Sequence, residues 1–87
     1  MPDSMEPHPS LVAFGIAVSQ RRMALGWSFD ALAEYSDVSR RMLINVEHAR
    51  MNPSLLTILK IAKALKVEPG ELVNAAIRSV EPNQSPN

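Results

Sequence analysis

From Ser10 onward the apolar residues return every three or four positions, and Leu11, Phe14, Val18, Arg22 and Leu25 fall on one face at spacings of 3, 4, 4 and 3. That period predicts a first helix, with Ser10 as its N-cap and Gly26 just past its C-terminal end. Ser28 is a second N-cap, with Asp30 in the turn that follows it, and predicts a short helix of about Phe29 to Ser36. Asp37-Val38 forms a tight turn, and Ser39 caps a third helix that runs through about His48 and turns Leu43, Val46 and Glu47 inward. After Arg50-Met51-Asn52-Pro53, Ser54 opens a fourth helix whose Leu55, Ile58, Ile61, Ala62 and Leu65 make an apolar stripe. A fifth helix begins at Glu68-Pro69, carries Leu72, Val73, Ala76, Ile77 and Val80, and stops before Pro82. Nowhere do β-branched and aromatic residues alternate over a strand's length, so the expectation is an all-α, compact five-helix bundle.

Composition narrows the reading. With 87 residues there is room for one hydrophobic core, and 46% hydrophobic against 21% charged residues is a globular mixture. Three of the seven prolines lie in the first nine residues and two in the last six. The expected domain is therefore 10–80, between flexible tails at 1–9 and 81–87. The chain has no cysteine, its N-terminus is acidic, and its longest apolar run, Leu11 to Val18, is too short to span a membrane. The expectation is a cytoplasmic protein without a membrane partner.

Reactive groups are sparse: two histidines forty residues apart, three scattered glycines and no metal-ligand or nucleophile motif. Neither an enzyme, nor a cofactor, nor a metal site is expected.

Two short helices joined by a tight turn are either an ordinary helical hairpin or a DNA-binding pair, and spacing alone leaves both open. Ala33 is small where the two backbones would cross, Asp37 tolerates left-handed backbone, and Val38, Leu43 and Val46 would plug the corner. Around them stand Phe14-Gly15, Val18, Arg22, Trp27-Ser28, Leu32-Ala33-Glu34, Val38-Ser39-Arg40, Val46-Glu47, Asn52-Pro53-Ser54-Leu55 and Ile61-Ala62-Lys63-Ala64-Leu65. In these positions, spread over residues 14–73, the chain resembles the Cro and phage-repressor (Xre-like) helix-turn-helix transcriptional regulators. The resemblance implies a lambda-repressor-like DNA-binding fold, with the helix-turn-helix formed by the second and third helices.

Helical geometry turns Arg41, Ile44, Asn45 and His48 outward on the third helix, with Arg40 and Met42 on the flanks. The resemblance implies that Ser39, Arg40, Arg41 and Asn45 reach phosphates and base edges, and Ser28 and Arg50 are also expected to contact DNA. The chemistry suits this, since arginine grips guanine and asparagine adenine bidentately, while Ile44 can meet a thymine methyl. His48 is a phosphate donor or a simple helix-end cation. Residues 39–66 hold six basic residues against one acid, whereas the full chain balances nine against nine, so the neutral total hides a basic segment. Arg22 and Glu47 both fall on faces read as buried, and a buried charge needs a partner. The resemblance implies an ion pair between them that orients the recognition helix.

Some residues depart from the family pattern. Phe29 stands where a glutamine is common, and either packs beside Trp27 or covers a partner surface. Asp37 and Ala49 stand for glycines, the latter lengthening the third helix, and Arg21 replaces an aliphatic residue. His8 is read as without a role. The function expected is sequence-specific binding of double-stranded DNA by a repressor-like homodimer on a palindromic operator, paired through Val73, Ile77 and Val80. The alternative is a protein-interaction module, an antitoxin or transcription-factor partner that uses Phe29, Met42, Ile44 and Met51.

Overall fold

The computed structural model describes residues 6–80, the side chains of Ser79 and Val80 excepted. Residues 1–5 and 81–87, most of the two expected tails, lie outside the described residues. Five helices and no strand occur among the described residues: α1 (Pro9–Ala24), α2 (Phe29–Ser36), α3 (Arg40–Glu47), α4 (Leu55–Leu65) and α5 (Pro69–Val80).

Local chemistry sets the ends of these helices. Ser28, Ser39 and Ser54 have extended backbones and accept hydrogen bonds from the amides of Ala31, Met42 and Thr57, which would otherwise lack helical partners. At α1 the expectation fails by one element of punctuation. The helix starts at Pro9, and the cap is His8, whose Nδ1 accepts from the Ser10 amide at 3.0 Å. Proline supplies a preset φ at the first position, so the start moves upstream of the serine. Ser10 lies inside the helix and donates its hydroxyl to the Ala76 carbonyl at 3.1 Å, tying α1 to α5.

Three C-termini close in the same way. Gly26, Ala49 and Lys66 all have φ between 58° and 74°. Beside each, the paired backward hydrogen bonds of a Schellman motif form: Trp27 to Arg22 and Gly26 to Met23, Arg50 to Asn45 and Ala49 to Val46, Val67 to Ala62 and Lys66 to Lys63. Ala49 therefore does not lengthen α3; it adopts the left-handed conformation that glycine normally takes, and the helix stops at Glu47. Asp37 does the same at the α2 end, with φ 61°.

Phe14, Val18, Leu32, Val38, Leu43, Val46, Ile61, Ala62, Ala64, Leu65 and Leu72 form one core drawn from every helix and from the α2–α3 turn. The largest fully buried side chains are Leu32, Leu43, Ile61, Leu65, Val18 and Val46. α1 packs along α5 and crosses α3, while α2 lies between α3 and α4. Buried Ser36 is satisfied locally, its hydroxyl accepting from the Val38 amide at 3.2 Å. The stripe read on α4 needs one correction: Leu55 is 70% exposed, because the helix enters from solvent and its buried face begins a turn later, at Ile58 and Ile61. No described helix is long and apolar enough to cross a membrane.

Candidate nucleic-acid interface

α3 is held from behind by the charged pair. Arg22 Nε donates to Glu47 Oε2 at 2.7 Å and its Nη2 to Oε1 at 3.0 Å, a two-pronged contact that matches the planar fork to the carboxylate. The remaining Nη1 donates to the Trp27 carbonyl at 2.8 Å. Both side chains are largely withdrawn from water, at 12% and 4% exposure. The guanidinium also lies 4.1 Å from the centre of the Phe29 ring. Trp27 stacks on Tyr35 instead, and Phe29 packs against the core and lies over the cation, where a ring face is attractive to positive charge. One arginine therefore joins α1, the α1–α2 connection, the start of α2 and the end of α3.

Two further contacts position this frame and carried no role in the sequence reading. At Gly15, a β carbon would stand 2.6 Å from the carbonyl oxygens of both Val46 and Glu47, so α1 and α3 touch backbone to backbone there. Arg21 donates from Nε to the Leu65 carbonyl at 3.0 Å, satisfying an orphan acceptor at the end of α4. The only available signals were a glycine within a helix and a cation where an aliphatic residue is common. Neither identifies its partner.

The expected interface residues divide by exposure. Ser28, Ser39, Arg40, Arg41, His48 and Arg50 are exposed, whereas Ile44 and Asn45 are half-buried and form the floor between them. Ser28 and Ser39 use their oxygens as caps, which leaves each hydroxyl proton able to donate outward. Arg40 pairs with Asp30, Nε to Oδ1 at 3.1 Å, linking the first turns of α3 and α2 at the surface. Among the described residues Arg41 and Arg50 have no ion pair, and the Asn45 amide makes no side-chain hydrogen bond. His48, at the end of α3, directs Nδ1 to the Ile44 carbonyl at 2.9 Å, which turns Nε2 away from the helix.

The residues of the alternative apolar surface are all partly buried. Phe29, Met42 and Met51 pack against the core, and Ile44 is half-buried. Exposed aliphatic side chains lie elsewhere: Val12 and Ile16 on α1, Val73 and Ile77 on α5, and Leu55, Leu56 and Leu59 on α4, a helix that packs against α5. Val80, expected with the first two, has a side chain outside the described residues.

Residues 18–72 match the Helix-turn-helix family, and the chain belongs to it, in its Xre-like form. It is similar to the HTH-type transcriptional regulator SutR of Escherichia coli (strain K12), 40% identical over 50 residues, which are 58% of this chain and 28% of SutR. The chain thus matches little more than a quarter of that relative's length. It is also similar to the restriction-modification controller protein C.AhdI of Aeromonas hydrophila, with 42% identity and a TM-score of 0.73 over 75% of this chain and 98% of that one.

Proposed function

We propose that this protein binds double-stranded DNA sequence-specifically as a small transcriptional regulator, acting in the cytoplasm as a repressor and not as an enzyme. The observation that carries the reading is the outward edge of α3: two arginines, one of them unpaired, and an amide without a side-chain partner, on a helix braced from behind by a buried ion pair. Arg41 and Asn45 are the residues for base edges, with Ile44 beside them for a thymine methyl. Ser28, Ser39, Arg40, His48 and Arg50 are the phosphate contacts, and the positive ends of the α2 and α3 dipoles favour the same anions. Support also comes from the relatives, named as a transcriptional regulator and a restriction-modification controller.

A domain of this size covers about one turn of groove, so specificity calls for two copies, with recognition helices about 34 Å apart on a palindrome. The pairing surface we assign combines Val73 and Ile77 with Leu55, Leu56 and Leu59, exposed aliphatics on two adjacent helices. The protein-interaction reading has less support, because Phe29, Met42, Ile44 and Met51 are each only partly exposed.

Selection of bound duplexes from a random library tests the proposal, with the wild type and an Arg41→Ala/Asn45→Ala variant side by side. Enrichment of a two-fold symmetric site that the variant loses is the expected result. Failure of the wild type to enrich any site overturns it.

A further inference from the structure

Away from α3, a hollow of about 550 Å³ opens where α2 ends against α4, lined in part by Trp27, Tyr35, Asp37, Lys60, Lys63 and Lys66. No residue of α3 lines it. Trp27 and Tyr35 stack with ring centres 4.6 Å apart and planes 28° from parallel, and Tyr35 is 64% exposed, so the pair is an aromatic platform with an open side. The same hollow is lined by three lysines, Lys60 and Lys63 on α4 and Lys66 at its C-cap. Lys60 reaches Asp37 at 4.0 Å, while Lys63 and Lys66 have no ion pair among the described residues.

The formal charge lining the hollow is three positive against one negative, and a phosphomonoester carries about −1.5 to −2 at neutral pH. The volume falls in the range of about 300–1,000 Å³ typical of small-molecule pockets.

Asp37 and Lys66, which line this hollow, are the left-handed residues that close α2 and α4.

We propose that this hollow binds a small phosphorylated ring compound of the nucleoside monophosphate class, its ring on the Tyr35 and Trp27 platform and its phosphate among Lys60, Lys63 and Lys66. Stacking is indifferent to the identity of the base, whereas the ammonium groups act as point charges for phosphate. The site is separate from the DNA-facing edge of α3 and does not depend on the DNA-binding reading.

Trp27 is the sole tryptophan, so its emission reports the site directly. The full chain is titrated with AMP, adenosine, inorganic phosphate and benzoate in turn. AMP is expected to give a saturable change at least about tenfold tighter than adenosine or phosphate alone. Lys66→Gly is the informative variant, because it relieves the left-handed strain: its melting temperature should rise while AMP binding weakens about fivefold or more. Unchanged emission up to about 10 mM AMP overturns the proposal. So does equal binding of benzoate, or a Lys66→Gly variant that binds AMP like the wild type.

Discussion

Gly15 lies so close beneath the carbonyl of Glu47 that a side chain as small as a methyl group would stand 2.6 Å from that oxygen. The residue that supplies this carbonyl is also the one whose carboxylate is gripped by Arg22. Close approach and ion pair therefore fix the same end of the recognition helix, one through backbone and one through side chain. In Gly15→Ala two effects compete. Alanine favours the helix by about 1 kcal/mol, but overpacking against rigid backbone costs about 1–3 kcal/mol or more. Because the obstructing atoms are carbonyls on two successive residues, the clash should win. A lower denaturation midpoint with an unchanged denaturant slope is expected; a higher midpoint would show that α1 and α3 can separate at no cost.

Loss of one member of the buried pair strands the other. Glu47→Ala should lower stability by about 3–5 kcal/mol, whereas the double replacement Arg22→Met/Glu47→Leu, which removes both charges and keeps the bulk, should recover most of it. A Glu47→Ala chain that melts like the wild type would deny the pair any structural role. Phe29→Ala belongs in the same series, since it uncovers the guanidinium and removes a ring packed on the core.

Arg21 acts at a distance from the interface. Its bond to the Leu65 carbonyl closes the end of α4, so Arg21→Met should cost about 1.5–3 kcal/mol, the range for a hydrogen bond to a charged donor. Amide exchange in the last turn of α4 should accelerate in this variant. If protection there is unchanged, water caps the carbonyl equally well.

The pair between Asp30 and Arg40 is exposed on both sides, and such pairs contribute about 0–1 kcal/mol to folding. Its consequence falls on binding instead. Under the proposed function, a carboxylate in the first turn of α2 would compete with phosphate for Arg40 and repel the duplex. Asp30→Asn should melt within about 0.5 kcal/mol of the wild type yet bind DNA more tightly, by more than Glu34→Gln achieves on the same helix. Equal gains from the two substitutions would mean that only overall charge matters.

Ala49 tests the Schellman geometry after α3. Its φ of 58° favours glycine, but its methyl group is buried, so Ala49→Gly exchanges relief of about 1 kcal/mol of strain for lost packing. A change in stability within about 1 kcal/mol of zero, with α3 still ending at Glu47, is the expected outcome by denaturation and chemical-shift mapping. Extension of helical shifts past His48 would contradict it.

The number of helices, their approximate ends and most of the core were legible in the chain, because apolar period and serine caps are local signals. Val18, Leu43, Val46, Ile61 and Leu65 announce their burial by spacing alone, whereas Leu32 does not. Local signals failed where two of them competed, as at His8-Pro9-Ser10, and where a stripe ran past the end of its partner, as at Leu55. The outward set on α3 was readable from helical angle, yet Ile44 and Asn45 proved half-buried, since exposure depends on what packs alongside. Only the tertiary structure decided what meets what: Phe29 over Arg22, Arg21 on Leu65, Gly15 under Glu47, and Lys60, Lys63 and Lys66 around the same hollow as Tyr35. Residues along one helix declare their faces through its period. Residues on different helices meet only after the bundle has chosen its crossing angles, and one chain's spacing carries no record of those.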